Sequence, residues 1–209
     1  MDGREAADHY RGPDYDTKSR FISYWHQAHE LLALKPENVL EIGMGNGFLS
    51  GYLRKWGQSI TTLDVDPDLK PDVTGSVLKL PFADGTFDVV ACFEVLEHLP
   101  YEDFSKALSE IWRVSRRGAV LSVPDHSAVY RVDIELPLFG EIRKLVPHPF
   151  PRAVPHVFDG VHYWVIGKAE YPLSRIGTDI RAAGFEVSKT YRVFEFYGHR
   201  FFVLKKPVS

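Results

Sequence analysis

The segment VLEIGMGNGFLS, residues 39–50, sets glycines at every second position, Gly43, Gly45 and Gly47, directly behind a short apolar run carrying one acid, Glu41. A strand that ends in such a cluster and leads into a helix makes a tight turn whose bare backbone can approach a ligand closely. The helix's first N–H groups point outward from that turn. In open α/β sheets small ligands bind at this place, beyond the carboxyl ends of the strands. The glycines therefore demand an alternation of strands and helices around them.

The chain supplies it. NVLEI, a helix-like FLSGYLRKWG, SITTLDVD, FDVVACFEV, DFSKALSEIWRVS and AVLSV follow one another, and strand–helix–strand in this rhythm means a parallel sheet covered on both faces. Ahead of it, Phe21, Trp25, Ala28 and Leu32 recur at steps of three and four within residues 17–34, predicting one buried helical face before Pro36 stops the helix. A second helix is expected over 102–115, with Arg113, Arg116 and Arg117 near its end and Gly118 closing it. PLSRIGTDIRAAGF predicts a late helix closed by Gly184. FEVSKTYRV and HRFFVLKK predict a final strand pair joined near Gly198.

Residues 124–172 break the rhythm. They hold seven of the fourteen prolines and four of the nine histidines, which reads as an insertion outside the sheet. One compact domain over 1–209, with an N-terminal helical segment 1–35 and this insertion, is the expected organisation.

Charge and cysteine content narrow the partners. A formal net charge of −3 and a pI near 6.3 give no basic footprint for nucleic acid. The single cysteine, Cys92, lies inside an apolar run, so neither an intrachain disulfide nor a thiol cluster is available. No stretch approaches 18 consecutive apolar residues and the first 20 are charged and tyrosine-rich, so membrane binding and secretion are not expected. A cytoplasmic protein is, with a second copy of the chain, a homodimer, as the macromolecular partner considered.

Asp64 closes the second strand about 20 residues after the turn, where an acid can accept from both ribose hydroxyls. A dinucleotide fingerprint would need glycine at position 48, and the chain has Phe48, which disfavours a pyrophosphate and hence an NAD-dependent reductase. LEIGMGNG, TLDVD, LPFADGTFDVV and FEVLEHLP, in this order and spacing over 39–123, resemble the class I S-adenosylmethionine-dependent methyltransferases. The resemblance implies a Rossmann-like, doubly wound, mostly parallel seven-stranded sheet with a C-terminal antiparallel pair and a loop-rich insertion after the fifth strand. It implies S-adenosyl-L-methionine as cofactor, with Glu41, Gly43, Gly45 and Gly47 along its methionine part, Asp64 on the ribose and Val65 beside the adenine. An acid that many family members carry near the adenine amino group falls at Ser76, which with Val77 is an adenine candidate. Phe93 and Glu94 would approach the sulfonium. A catalytically inactive cofactor-binding partner or sensor module is the alternative reading of the same pocket.

A sulfonium methyl is already activated, so the protein's main task is to align donor and acceptor and exclude water. An oxygen or protonated nitrogen acceptor also needs a base. His98, His126 and Asp125 are the candidates, and O- or N-methylation is favoured over C-methylation. The insertion, with six acids, five bases and seven aromatics, is expected to cover a partly apolar small-molecule acceptor. His148, His156, Asp159 and His162 match no compact ligand motif, and no metal is expected. The N-terminal Tyr10, Tyr15 and Arg20 are expected to fold over the cofactor.

Overall fold

A computed structural model describes residues 10, 12, 14–137, 140–152 and 154–207. Helix α1 (Lys18–Ala33) precedes β1 (Asn38–Ile42), α2 (Phe48–Lys55), β2 (Ser59–Asp64), the short β3 (Val73–Thr74) and β4 (Phe87–Phe93). Helix α3 (Phe104–Val114), β5 (Ser115–Pro124), a hairpin of β6 (Val129–Leu136) and β7 (Gly140–Pro147), α4 (Leu173–Ala182), β8 (Glu186–Arg192) and β9 (His199–Lys205) complete the chain. Seven strands form one sheet in the order β3-β2-β1-β4-β5-β9-β8, parallel except for β9, which runs antiparallel to both neighbours. The order reverses direction at β1, which lies between β2 and β4. That reversal opens a crevice at the carboxyl ends of β1 and β4.

Burial on both faces explains why β4 reads FDVVACF without a polar face: all seven residues are buried. Val89, Ala91 and Phe93 face the core under α1 and α2, while Val90 and Cys92 face the core under α3 and α4, the period of two that a pleated strand imposes. Glu41 stands between Leu40 and Ile42 of the second core and so shares the α1/α2 face with Val39.

Three sequence expectations change. Helix α1 is rotated: Phe21, Trp25 and Leu32 are exposed, and the inward face carries Ser23, Tyr24, Gln27, Ala28, Glu30 and Leu31. Two of its polar members have partners on β8 and β9, Ser23 Oγ lying 3.0 Å from His199 Nδ1 and Glu30 receiving Lys189 Nζ at 2.5 Å and the Tyr191 hydroxyl at 2.9 Å. Helix α3 ends at Val114, and Arg116, Arg117 and Gly118 belong to β5. Arg116 pairs with Asp88 at 2.7 Å. Gly118 is needed in the strand, because at φ 155° a Cβ there would sit 2.0 Å from the Leu204 carbonyl oxygen. We expect Gly118→Ala to lower stability by about 3 kcal/mol or more, since neither backbone can retreat from the clash. Chemical denaturation midpoints measure it, and a loss below about 1 kcal/mol would show that the β5–β9 pair yields.

The insertion contains regular structure after all. Strands β6 and β7 pair over eight residues in a separate two-stranded sheet. Their prolines sit at the boundaries, Pro137 past β6 and Pro147 ending β7, where no ladder bond is lost. The hairpin leans on the β8–β9 connection through Arg143 to Glu195 at 3.1 Å, and Arg131 lies over the Phe194 ring. Among the described residues no helix is long and apolar enough to cross a membrane.

Candidate active site at the carboxyl edge

The glycine turn leaves β1 at the reversal point. Gly43, Gly45 and Gly47 all have positive φ, 77°, 53° and 73°, conformations that side chains with a Cβ rarely adopt. Gly43 is also sterically obligatory: an added Cβ would lie 2.2 Å from Val95 Cγ2, so the turn and the segment after β4 are in close contact. Gly47 precedes α2, and the first helical N–H, of Phe48, is taken by Asn46 Oδ1 at 3.0 Å. The outward-facing helix donors anticipated from sequence are to that extent already used.

Asp64 fixes the turn as well as ending β2. Its Oδ2 accepts from the Met44 N–H at 2.9 Å and its Oδ1 from the Asp66 N–H at 3.0 Å, leaving each oxygen a second lone pair. Beyond it Val65 is 69% exposed, an apolar side chain presented at the mouth. Ser76 is half-buried and its hydroxyl accepts from the Leu78 N–H at 3.2 Å. Val77 puts its side chain into the core below. Tyr10 and Tyr15 lie over Gly45, ring carbons of Tyr10 standing 3.6 Å from a notional Cβ. Arg20 reaches them from α1, its guanidinium stacked on the Tyr15 ring at 3.9 Å and bonded to the Tyr15 carbonyl at 3.0 Å.

Buried carboxyls line the same edge. Glu41 is 4% exposed with Oε2 lacking a partner, and burial pushes its carboxyl up to about 8, with Asp64 and Asp72 adding in the same direction against Ser50 and Arg54. Glu94, just past β4, has φ 52°, unusual for a residue with a Cβ. It is held there by its N–H to the Ser122 carbonyl at 2.9 Å. Burial raises Glu94 to about 7. Glu97 is fully buried with neither carboxyl oxygen bonded, and burial, then the charge of Glu94, lift it well above the ordinary range. Phe93 packs its ring 5.8 Å from Phe201 beneath them.

His199 was not anticipated. Its Nε2 stands 3.3 Å from Glu94 Oε2 and its Nδ1 3.0 Å from Ser23 Oγ, joining β9, β4 and α1. Burial foremost, with Arg20 and His162, pushes His199 down to about 3. The contact near neutral pH therefore involves a neutral imidazole rather than an ion pair. His199 is 176 residues from Ser23, and no local pattern in either segment announces the pairing.

The three base candidates separate. Asp125 is fully buried, with Oδ2 2.6 Å from Arg200 Nε, Oδ1 accepting the Ser127 N–H at 2.7 Å and lying 3.8 Å from Arg192 Nη1; its oxygens brace the end of β5. His126 is exposed on the connection after β5, its N–H bonded to the Ile166 carbonyl at 2.8 Å. Burial and Lys168 lower its imidazole's affinity for a proton. His98 gives Nδ1 to the Val161 carbonyl at 3.1 Å, and burial lowers it too. Asp66 is buried with Oδ2 unbonded.

The end of the insertion lies against the turn after β4. The Tyr163 N–H bonds the Glu97 carbonyl at 2.8 Å, Trp164 Nε1 bonds the Leu96 carbonyl at 3.2 Å, and Ile166 bridges to Asp125. His162, which the sequence grouped with His148, His156 and Asp159, keeps Asp159 Oδ2 3.1 Å from its Nδ1 and also comes beside His98, ring centroids 5.2 Å apart.

Comparison with known proteins agrees with this geometry. A family model described as a methyltransferase domain matches residues 40–123, the segment from β1 to the end of β5. Demethylmenaquinone methyltransferase of Corynebacterium glutamicum is 28% identical over 180 residues, covering 73% of this chain and 75% of that protein. Among solved structures, 1,6-didemethyltoxoflavin-N1-methyltransferase of Burkholderia thailandensis, holding 1,6-didemethyltoxoflavin and S-adenosylhomocysteine, superposes with a TM-score of 0.63 at 16% identity over 99% of this chain and 87% of that one. The N-methyltransferase NodS of Bradyrhizobium japonicum, with S-adenosylhomocysteine, gives 0.64 at 12% identity over 98% of each. Sheet order, glycine turn and these likenesses converge: residues 40–123 match a methyltransferase domain, and the chain has the fold of S-adenosylmethionine-dependent methyltransferases.

Proposed function

We propose that the chain transfers a methyl group from S-adenosylmethionine to an oxygen or nitrogen of a small, partly apolar acceptor. The observation that carries the reading is the meeting of the positive-φ glycine turn, the Asp64 carboxylate, the buried acid Glu41 and the partly buried Glu94 at one reversal point of the sheet. In this reading the turn lies along the methionine part and the free lone pairs of Asp64 accept from the ribose hydroxyls. Val65 and the backbone at Ser76 and Val77 flank the adenine. Glu41 and Glu94 face the positive end of the cofactor, where a buried carboxylate gains the counter-charge it lacks in the free protein. Residues 124–172 form the acceptor's cover, tied to the β4 turn by Tyr163 and Trp164 and to β5 by Ile166. His126 is the favoured base, since its ring is exposed and kept neutral. Small-molecule acceptors named for the similar proteins, demethylmenaquinone and 1,6-didemethyltoxoflavin, support the substrate class.

Calorimetric titration tests the cofactor. S-adenosylmethionine and S-adenosylhomocysteine should each bind at one site per chain, and NADH should neither bind there nor compete. NADH binding in the absence of S-adenosylmethionine binding would overturn the assignment. A screen of metabolite extracts with labelled methyl donor then tests transfer. Tight cofactor binding without any labelled product across extracts would point to a sensor.

A further inference from the structure

We propose that Glu97, His98 and His162 form a binding site for a divalent transition cation of the zinc type. One carboxyl oxygen of Glu97 and one ring nitrogen of each histidine lie within 4.8 Å of one another. Neither oxygen of Glu97 has a hydrogen-bond partner although the residue is fully buried, a costly state for a carboxyl that has nothing to bind. Each histidine has one ring nitrogen already committed. His98 Nδ1 is 3.1 Å from the Val161 carbonyl, and His162 Nδ1 is 3.1 Å from Asp159 Oδ2.

Those contacts engage Nδ1 of each ring, and they are the kind of support that orients an imidazole binding a metal through Nε2. Asp159 is itself fixed, its Oδ1 accepting the Val161 and His162 N–H groups at 2.9 and 2.7 Å. Two imidazoles and one carboxylate suit zinc and its first-row neighbours rather than magnesium, which prefers oxygen. A bond length near 2.1 Å wants donors about 3.4 Å apart. Rotation of the two rings, whose side chains are 41% and 31% exposed, closes the gap onto the fixed Glu97. Three protein donors leave an open position, as in sites that act on a ligand. The position lies where the insertion meets the β4 turn, so, on the methyl-transfer reading above, the acceptor's oxygen or nitrogen would meet the cation there.

Zinc titrated calorimetrically into chelator-treated full-length protein, without cofactor or acceptor, should bind at one equivalent per chain. Magnesium should not compete. His98→Ala and His162→Ala should each weaken binding at least tenfold, and Asp159→Asn, which loosens the support of His162, by roughly tenfold. His148→Ala, outside the cluster, should bind as the parent does. Cobalt substitution gives a second readout, since its visible absorption changes with imidazole ligation. Unfolding midpoints in chelator confirm that each variant is folded, and Glu97→Gln provides a variant that keeps the buried shape if one histidine variant fails. Absence of stoichiometric zinc binding, or parental affinity in both histidine variants, would overturn the proposal. Cofactor affinity measured in chelator is separate: its loss in the parent protein would sink the methyltransferase site while leaving the zinc result to stand or fall alone.

Discussion

Asp64→Ala should weaken S-adenosylmethionine binding by about 2–3 kcal/mol, roughly 30- to 150-fold, the scale for removing hydrogen bonds to a charged acceptor. It should also destabilise the free protein by about 1–3 kcal/mol, because the carboxylate serves the Met44 and Asp66 N–H groups that shape the glycine turn. Both consequences come from one side chain, so they need separate measurement. Asp64→Asn keeps the shape and one good acceptor oxygen, and should fall between the parent and alanine in both respects. Titration below the unfolding temperature, with the folded fraction known, isolates affinity. If the folded fraction of Asp64→Ala binds as tightly as the parent, the carboxylate only builds the turn, and the ribose contact belongs elsewhere.

What could be read from sequence here follows the range of the interaction. The glycine turn and Asp64 are legible because a left-handed backbone leaves glycines at close spacing, and because a strand's end is marked by where its β-formers stop. The sheet is legible for the same reason, since FDVVACF has no polar face to offer water. Helix α1 was misphased because hydrophobic spacing assumes an apolar inward face. Ser23 and Glu30 turn inward since His199, Lys189 and Tyr191, more than 150 residues away, satisfy them. The β6–β7 hairpin was hidden by averaging prolines over a segment in which they mark only the boundaries. His162 could be counted but not placed, because its position beside His98 depends on main-chain bonds of Tyr163 and Ile166 that side-chain patterning does not encode. Local backbone chemistry was thus readable, and the convergence of distant polar groups was not.

Stability of the free protein should fall, by about 2 kcal/mol from Glu41 alone, between pH 6.5 and 8. A carboxyl whose folded pKa is raised holds its proton in the fold while the unfolded chain releases it. Stability is then lost as pH rises from the ordinary value to the folded one. For Glu41 that window runs from 4.5 to about 8, at about 1.4 kcal/mol per pH unit. Glu94 and Glu97 act in the same direction. Below about 6.5 the slope is opposed by His199, whose folded pKa is lowered to about 3. There the unfolded chain takes up a proton that the fold refuses, so acid weakens the fold. His26, His98 and His126 add to that limb, and Asp72 and Asp88, held below the usual carboxylate range by hydrogen bonds and arginines, steepen it further once they protonate. Denaturation midpoints from pH 5 to 8.5 would trace the curve. Glu41→Gln, neutral at every pH, should flatten the alkaline limb without shifting the acid one. Cofactor should have the converse effect: a positive sulfonium bound beside Glu41 and Glu94, as proposed, would favour their ionised forms, so saturating S-adenosylmethionine should protect most at pH 8 and release protons on binding near pH 7. S-adenosylhomocysteine, lacking the sulfonium charge, should release fewer. Equal proton release by the two ligands, measured calorimetrically in buffers of different ionisation enthalpy, would separate these carboxyls from the sulfonium.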